Sequence, residues 1–335
     1  MKKFIKKIMI FLFFCIIISV IIPYAVDPYN VFHYNDIRDN GVEPNKNYVK
    51  MAYVIDHPRN FDSFMFGSSR VGAIHVENIT DEKCYNMSYS LGVPEEHLNN
   101  IKTLVENGII PKRIYLGVDS RSYTDNAQSH YSQPLRAPYE HYASDKTDFL
   151  LLYLNPSIVL KSLKTITSDK GNNDIFYQYG WWCDYQQETV LSEDEKIFPS
   201  IGKEMLLNDT LEDIKEIKAL CDSHNIEFVV FTNPMHYVTY EASLDKNYYD
   251  FLYGLSQITP FYNFSGFNDV TLDSSNYIDE SHYNAYIGDL ILDCIKKGST
   301  KESLLEQGFG VYVTENNVDD FLALLRYQEQ EYNLK

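Results

Sequence analysis

The sequence predicts an α/β protein in three layers, with a parallel sheet of about five strands between helices, carried on one N-terminal membrane-spanning helix. Three observations lead there. Short apolar, strand-like runs alternate with helix-spaced segments from residue 61 onward, as in strand–helix–strand units whose sheet is buried on both faces. An almost unbroken apolar run over residues 8–22 follows Lys2, Lys3, Lys6 and Lys7. What remains of the 335 residues beyond that run is enough for one large domain with a sizeable core.

The apolar run continues through Pro23-Tyr24-Ala25-Val26 and approaches the roughly 20 residues that cross a bilayer. A cleaved leader has a shorter apolar core and a small-x-small cleavage site. Ser19-Val20-Ile21 and Tyr24-Ala25-Val26 match that poorly, so an uncleaved anchor is expected over residues 1–26. The lysines stay in the cytoplasm by the positive-inside rule. The chain is thus expected to be a single-pass protein of the cell membrane, extracytoplasmic from about residue 27. Residues 27–60 read as a connecting segment.

Asp62 to Phe66 reads as the first strand and Cys84 to Asn86 as the second. Glu95 to Asn107 has helical spacing, opened by Pro94 and stopped by Gly108. A third strand is expected at Arg113–Leu116, a helix at Leu211–His224, and a fourth strand at Glu227–Thr232, ended by Asn233-Pro234. Tyr248–Ile258 reads as a helix, Phe261–Asn263 as a short fifth strand, and Tyr283–Lys297 as a helix stopped by Gly298. These elements form one domain over 61–298. Residues 120–208 interrupt the alternation with a long aromatic-rich insertion, of the kind that serves as a lid or binding element. Residues 299–335 form an extension with a strand-like Gly310–Thr314 and a helix from Val318 to Tyr327.

Charge and cysteines exclude several classes. The chain carries 47 acidic against 29 basic residues, and four of the 29 belong to the anchor. A globule this acidic repels phosphates, which argues against a nucleic-acid partner. Of the five cysteines, Cys15 lies in the anchor, and Cys84, Cys183, Cys221 and Cys294 show no C-x-x-C spacing. No metal site is expected of them. Cys84, Cys221 and Cys294 fall on strand or helix patterns and read as buried thiols; Cys183 lies in a loop.

The chemistry is carried by two distant segments. Phe64-Met65-Phe66-Gly67-Ser68-Ser69-Arg70 is a strand that stops at a glycine and presents serines on the next turn. Asp279-Glu280-Ser281-His282 places a carboxylate three residues before a histidine. A hydroxyl is a weak nucleophile unless an imidazole takes its proton, and the imidazole needs its tautomer fixed. Serine, aspartate and histidine in this order supply a nucleophile, an orienter and a base. Ser69, Gly92, Asp119 and His282 all follow expected strands, at the sheet edge where α/β proteins place ligands.

These blocks resemble the SGNH, or GDSL-type, hydrolase superfamily, and within it the membrane-anchored branch of DltD-like proteins and exopolysaccharide O-acetyltransferases. The likeness covers roughly residues 60–297 and implies a flavodoxin-like fold. The family's G-D-S block maps onto Gly67-Ser68-Ser69, which makes Ser69 the nucleophile, with Asp279 and His282 completing the triad. Its oxyanion hole would use the Ser69 N–H and the Gly92 N–H, with Ser90 the alternative to Gly92. The third donor is normally an asparagine; here Gly117-Val118-Asp119-Ser120 puts Asp119 in its place. A carboxylate repels an oxyanion, so Ser120 or Arg121 is expected to donate instead, or the site is tuned away from fast hydrolysis. Arg70, next to the nucleophile, is a candidate contact for a substrate carboxylate or sugar hydroxyl, and Trp181-Trp182 for stacking on sugar. His236 follows the fourth strand but lacks a carboxylate at fixed spacing and ranks below His282.

The resemblance implies a serine acyltransferase that modifies a glycan or other envelope polymer through a Ser69 acyl-enzyme, with no cofactor and with a multi-spanning membrane O-acyltransferase as partner. A surface esterase or deacetylase of the same fold is the alternative. A catalytically weak scaffold that binds glycan or a membrane partner is a third reading, and it rests on Asp119.

Overall fold

The computed structural model describes all residues except 166–173, 181–190, 192–196, 299 and 335. The chain divides into two compact units. The first joins residues 1–56 to 128–174; the second joins 57–127 to 175–335.

The second unit is an α/β layer structure. Its strands are β1 (Ser63–Phe66), β2 (Cys84–Asn86), β3 (Arg113–Val118), β4 (Glu227–Thr232), β5 (Phe261–Asn263) and β6 (Val311–Val313). They form one six-stranded sheet in the order β2-β1-β3-β4-β5-β6. All neighbours are parallel except β5 and β6, which run antiparallel. β1 is buried at every position, as a strand covered on both faces must be. Its alternation sends Phe66 against His97 of the Pro94–Glu106 helix, ring centroids 5.5 Å apart. Met65 points the other way, into a core with Val71, Phe231, Ile287 and Ile291. The helices Pro94–Glu106, Leu207–Ser223, Tyr248–Ser256 and Val318–Asn333 pack in sequence along one face. Ala285–Lys297 covers the other, opened by Asn284, whose side chain accepts from the Ile287 N–H, and closed by Gly298 at φ +67°.

The expected strands fall where the sequence places them. The extension beyond 298 adds β6 to the sheet edge rather than standing apart. Where the sequence shows no alternation, the structure has short helices, among them Tyr139–Ser144, Lys146–Tyr153 and Pro156–Thr165. These last three belong to the first unit, with the N-terminal segment. Tyr48 of the Lys46–Asp56 helix packs there against Tyr139, Tyr142 and Phe149. The aromatic cluster of the insertion thus serves a core of its own. The N-terminal helix, Lys2–Val26, is long and apolar enough to cross a membrane.

Candidate active site

β1 ends at Phe66, and the chain turns at Gly67 with φ +155°. A Cβ at Gly67 would run into the Val71 side chain and meet the Gly117 carbonyl at 3.0 Å, so only glycine allows this turn. The next residues form a 3₁₀ turn, Ser69–Ala73, capped by the Ser68 side chain, which accepts from the Arg70 N–H at 3.4 Å. The N–H of Ser69 is the first of that turn and has no partner inside it. From β2, Asn86 Nδ2 donates to the carbonyls of Val71 (3.0 Å) and Ile74 (3.4 Å) and so pins the far side of the turn.

The second segment folds onto this turn from the other end of the domain. Asp279 Oδ1 accepts the N–H groups of Ser281 (2.7 Å) and His282 (2.8 Å), a local turn that aspartate forms with its own backbone. That turn brings His282 Nδ1 to 2.9 and 2.8 Å from the two carboxylate oxygens. His282 Nε2 lies 2.8 Å from Ser69 Oγ. Burial raises the Asp279 carboxyl, but the bond from His282, its charge and the two N–H donors outweigh it and leave the carboxyl below its usual range. An ionised Asp279 accepts from Nδ1–H, which leaves Nε2 as the acceptor for the serine proton.

Arg70 does not face outward as a substrate contact: its side chain is 1% exposed. Nη1 pairs with Asp119 Oδ1 at 2.5 Å, Nε donates to the Ser281 carbonyl at 3.0 Å and Nη2 to the Ser200 carbonyl at 3.0 Å. Asp119 also accepts from Asn233 Nδ2 (2.9 Å) and from the Arg121 N–H (2.8 Å). Burial pushes the Asp119 carboxyl up, and the Arg70 charge and hydrogen bond, with these two donors, pull it further down, so it stays ionised. Asp119 is therefore a neutralised anchor for Arg70 rather than an oxyanion ligand. The sequence gives no sign of this pair, because its partners are about fifty residues apart on different strands' ends. Ser200 and Asn233 complete the same network; of the two only Asn233, which closes β4, carries a local signal in the sequence.

The remaining expected donors are engaged elsewhere. The Gly92 N–H donates to the Tyr89 carbonyl at 3.2 Å. Gly92 instead lets the chain approach the nucleophile turn, since a Cβ there would lie 2.8 Å from the Gly67 carbonyl. Ser120 is buried with its hydroxyl 3.3 Å from Met235 Sδ. Arg121 pairs with Asp125 at 2.7 Å, and Ser90 is partly buried after β2. His236 caps the Tyr237–Leu244 helix and contacts Ser274 Oγ at 3.0 Å; burial lowers it to about 4. Trp181, Trp182 and Cys183 lie outside the described residues. Cys84, Cys221 and Cys294 are buried free thiols.

Ser69, His282 and Asp279 are thus in hydrogen-bond contact at the carboxyl ends of the strands, beside the point where the order reverses from β1 to β3. Compared with family models, with curated proteins and with solved structures, the chain matches none.

Proposed function

We propose that the chain is a membrane-anchored serine acyltransferase of the SGNH type, acting outside the cytoplasm on a cell-envelope or secreted polysaccharide. The observation that carries the reading is the unbroken relay from Ser69 Oγ through His282 to Asp279. The strand order 2-1-3-4-5, with β6 added at the edge, is that of flavodoxin-like sheets and supports the same family. Pairing with Arg70 offsets the charge of Asp119, which weakens the objection that a carboxylate there would repel an oxyanion.

In the proposed reaction His282 Nε2 takes the Ser69 proton as Oγ attacks the carbonyl carbon of an ester or thioester donor. The Ser69 N–H meets the developing oxyanion. The tetrahedral intermediate collapses, the C–O or C–S bond to the leaving group breaks, and the imidazolium gives its proton to that group. A sugar hydroxyl then loses its proton to Nε2, attacks the acyl-serine and leaves as the ester, and Ser69 recovers its proton. A multi-spanning O-acyltransferase would supply the acyl group across the membrane. The second reading, an esterase, is favoured by one observation: the Asp279 side chain is 44% exposed, so water reaches the edge of the relay.

The test is to incubate the purified full chain in detergent, and its Ser69→Ala variant, with an aryl acetate, with and without a xylo- or chito-oligosaccharide. Acetyl on the wild-type protein alone, followed by acetylated sugar, supports transfer. Acetate without acetylated sugar supports the esterase. Absence of adduct and of turnover above the variant, with acetyl and longer acyl donors alike, overturns both.

A further inference from the structure

The first unit contains a short helix, Pro156–Thr165, with an exposed apolar face. The Pro156–Thr165 helix packs against the N-terminal helix. On the N-terminal helix Pro23 is buried, and Cys15, Ile17, Ser19, Ile22 and Val26 are partly shielded. Cys15, Ser19, Ile22 and Val26 recur at i, i+4, i+7 and i+11 and so share one stripe, which Pro23 flanks. On the short helix the buried positions are Ile158, Ser162 and Thr165. Small residues at such a contact let two helices approach closely without a hydrophobic drive from water, as membrane helices require.

The polar groups of that contact are satisfied within the helix. Ser162 Oγ donates to the Ile158 carbonyl at 2.8 Å, and Thr165 Oγ1 to the Ser162 carbonyl at 2.9 Å. At the N-terminus Asn155 Oδ1 accepts the N–H groups of Ser157 (3.0 Å) and Ile158 (3.4 Å). Hydroxyls bonded back to the backbone are what a segment needs where water cannot satisfy it. Turning 100° per residue, Leu160 and Leu163 fall away from the contact, 65% and 51% exposed. Lys161 and Lys164 lie on the adjoining flank, both exposed. Ten residues rise roughly 15 Å, too short to cross a bilayer but the length of one leaflet.

We infer that the Pro156–Thr165 helix is seated in the leaflet beside the anchor, with Leu160 and Leu163 among acyl chains and Lys161 and Lys164 at anionic headgroups. The occupant of the exposed leucine face is the lipid bilayer itself. A ten-residue helix lying against a membrane-spanning one shares its solvent, and leucine stems with flanking lysines are the composition of interfacial helices. The inference rests on reading Lys2–Val26 as a membrane anchor.

The experiment uses the full chain in nanodiscs of phosphatidylcholine with phosphatidylglycerol. Nitroxide labels are placed singly at Leu160→Cys, Leu163→Cys, Phe13→Cys in the anchor and Tyr312→Cys on β6. Cys15 and Cys183 are replaced by serine; Cys84, Cys221 and Cys294 are buried. Collision rates with oxygen, which concentrates in lipid, are compared with those of a water-soluble nickel chelate. Oxygen exceeding nickel at 160 and 163 as at 13, with the reverse at 312, supports the inference. Nickel exceeding oxygen at 160 and 163 while 13 stays oxygen-rich overturns it and leaves the anchor standing. Nickel dominance at 13 as well overturns the anchor and the inference together.

Discussion

Arg70, the residue after Ser69, donates from Nε to the main-chain carbonyl of Ser281, the residue before His282, at 3.0 Å. The same guanidinium pairs with Asp119 at the end of β3. One buried cation therefore holds the serine turn, the histidine turn and the central strand in register, and the 2.8 Å contact between Ser69 and His282 depends on a residue that does no chemistry itself.

Removing that cation strands a buried carboxylate. Arg70→Met is expected to lower stability by about 3–5 kcal/mol, the cost of leaving one partner of a buried pair uncompensated. Asp119→Asn alone should cost less, and the double variant should recover part of the Arg70→Met loss. Urea unfolding of the four proteins checks this, and additive losses would contradict the pairing.

Asp279→Asn keeps the size of the side chain but no longer fixes the imidazole with Nδ1–H. Turnover of an aryl ester should fall on the order of 10³–10⁴ with little change in KM, because the interaction acts in the transition state. Steady-state kinetics beside Ser69→Ala measure it. A loss confined to KM would mean that Asp279 binds substrate instead.

His97 is buried under the site, and burial lowers it to about 3. The unfolded chain titrates this group near its ordinary value of about 6.5. Below that pH the unfolded state binds more protons than the folded one, so stability falls as pH drops from about 6.5 toward about 3. The slope from this residue is at most about 1.4 kcal/mol per pH unit. Unfolding midpoints of His97→Gln across that range should decline less steeply than those of the wild type.

Gly92→Ala tests the close approach to the nucleophile turn. The new Cβ would meet the Gly67 carbonyl at 2.8 Å and His97 Cε1 at 2.9 Å. A backbone carbonyl yields only by moving the turn that carries Ser69, and a displacement of about 1 Å costs roughly 10² in rate. Acyl-enzyme formation, followed by mass, should slow by that order. Gly108→Asn is the control: nothing lies within 4 Å of its Cβ, and asparagine tolerates the left-handed φ of +74° there.

Elements with a strong local signature were legible. β1, β2, β4 and β5 follow their apolar runs, and the helix openings at Pro94 and closings at Gly298 follow from proline and glycine geometry. The Asp279–His282 turn was equally readable, since its hydrogen bonds close within four residues. What the sequence hides is non-local. Nothing around Arg70 announces Asp119, so an anchoring guanidinium reads as a substrate contact. Nothing around Tyr48 announces Tyr139 and Phe149, so half of an insertion reads as a lid when its rings complete another unit's core. Asp119 itself reads as a damaged oxyanion ligand, because a carboxylate looks the same in one dimension whether or not a cation faces it.

Ser69 and His282 are 213 positions apart in the chain. A ribosome delivers Ser69 early and His282 only after β1 to β5 have all been made. Until then the serine has no partner to take its proton. Synthesis order thus keeps the Ser69 hydroxyl apart from the imidazole until five of the six strands exist, and the contact between them can form only after that.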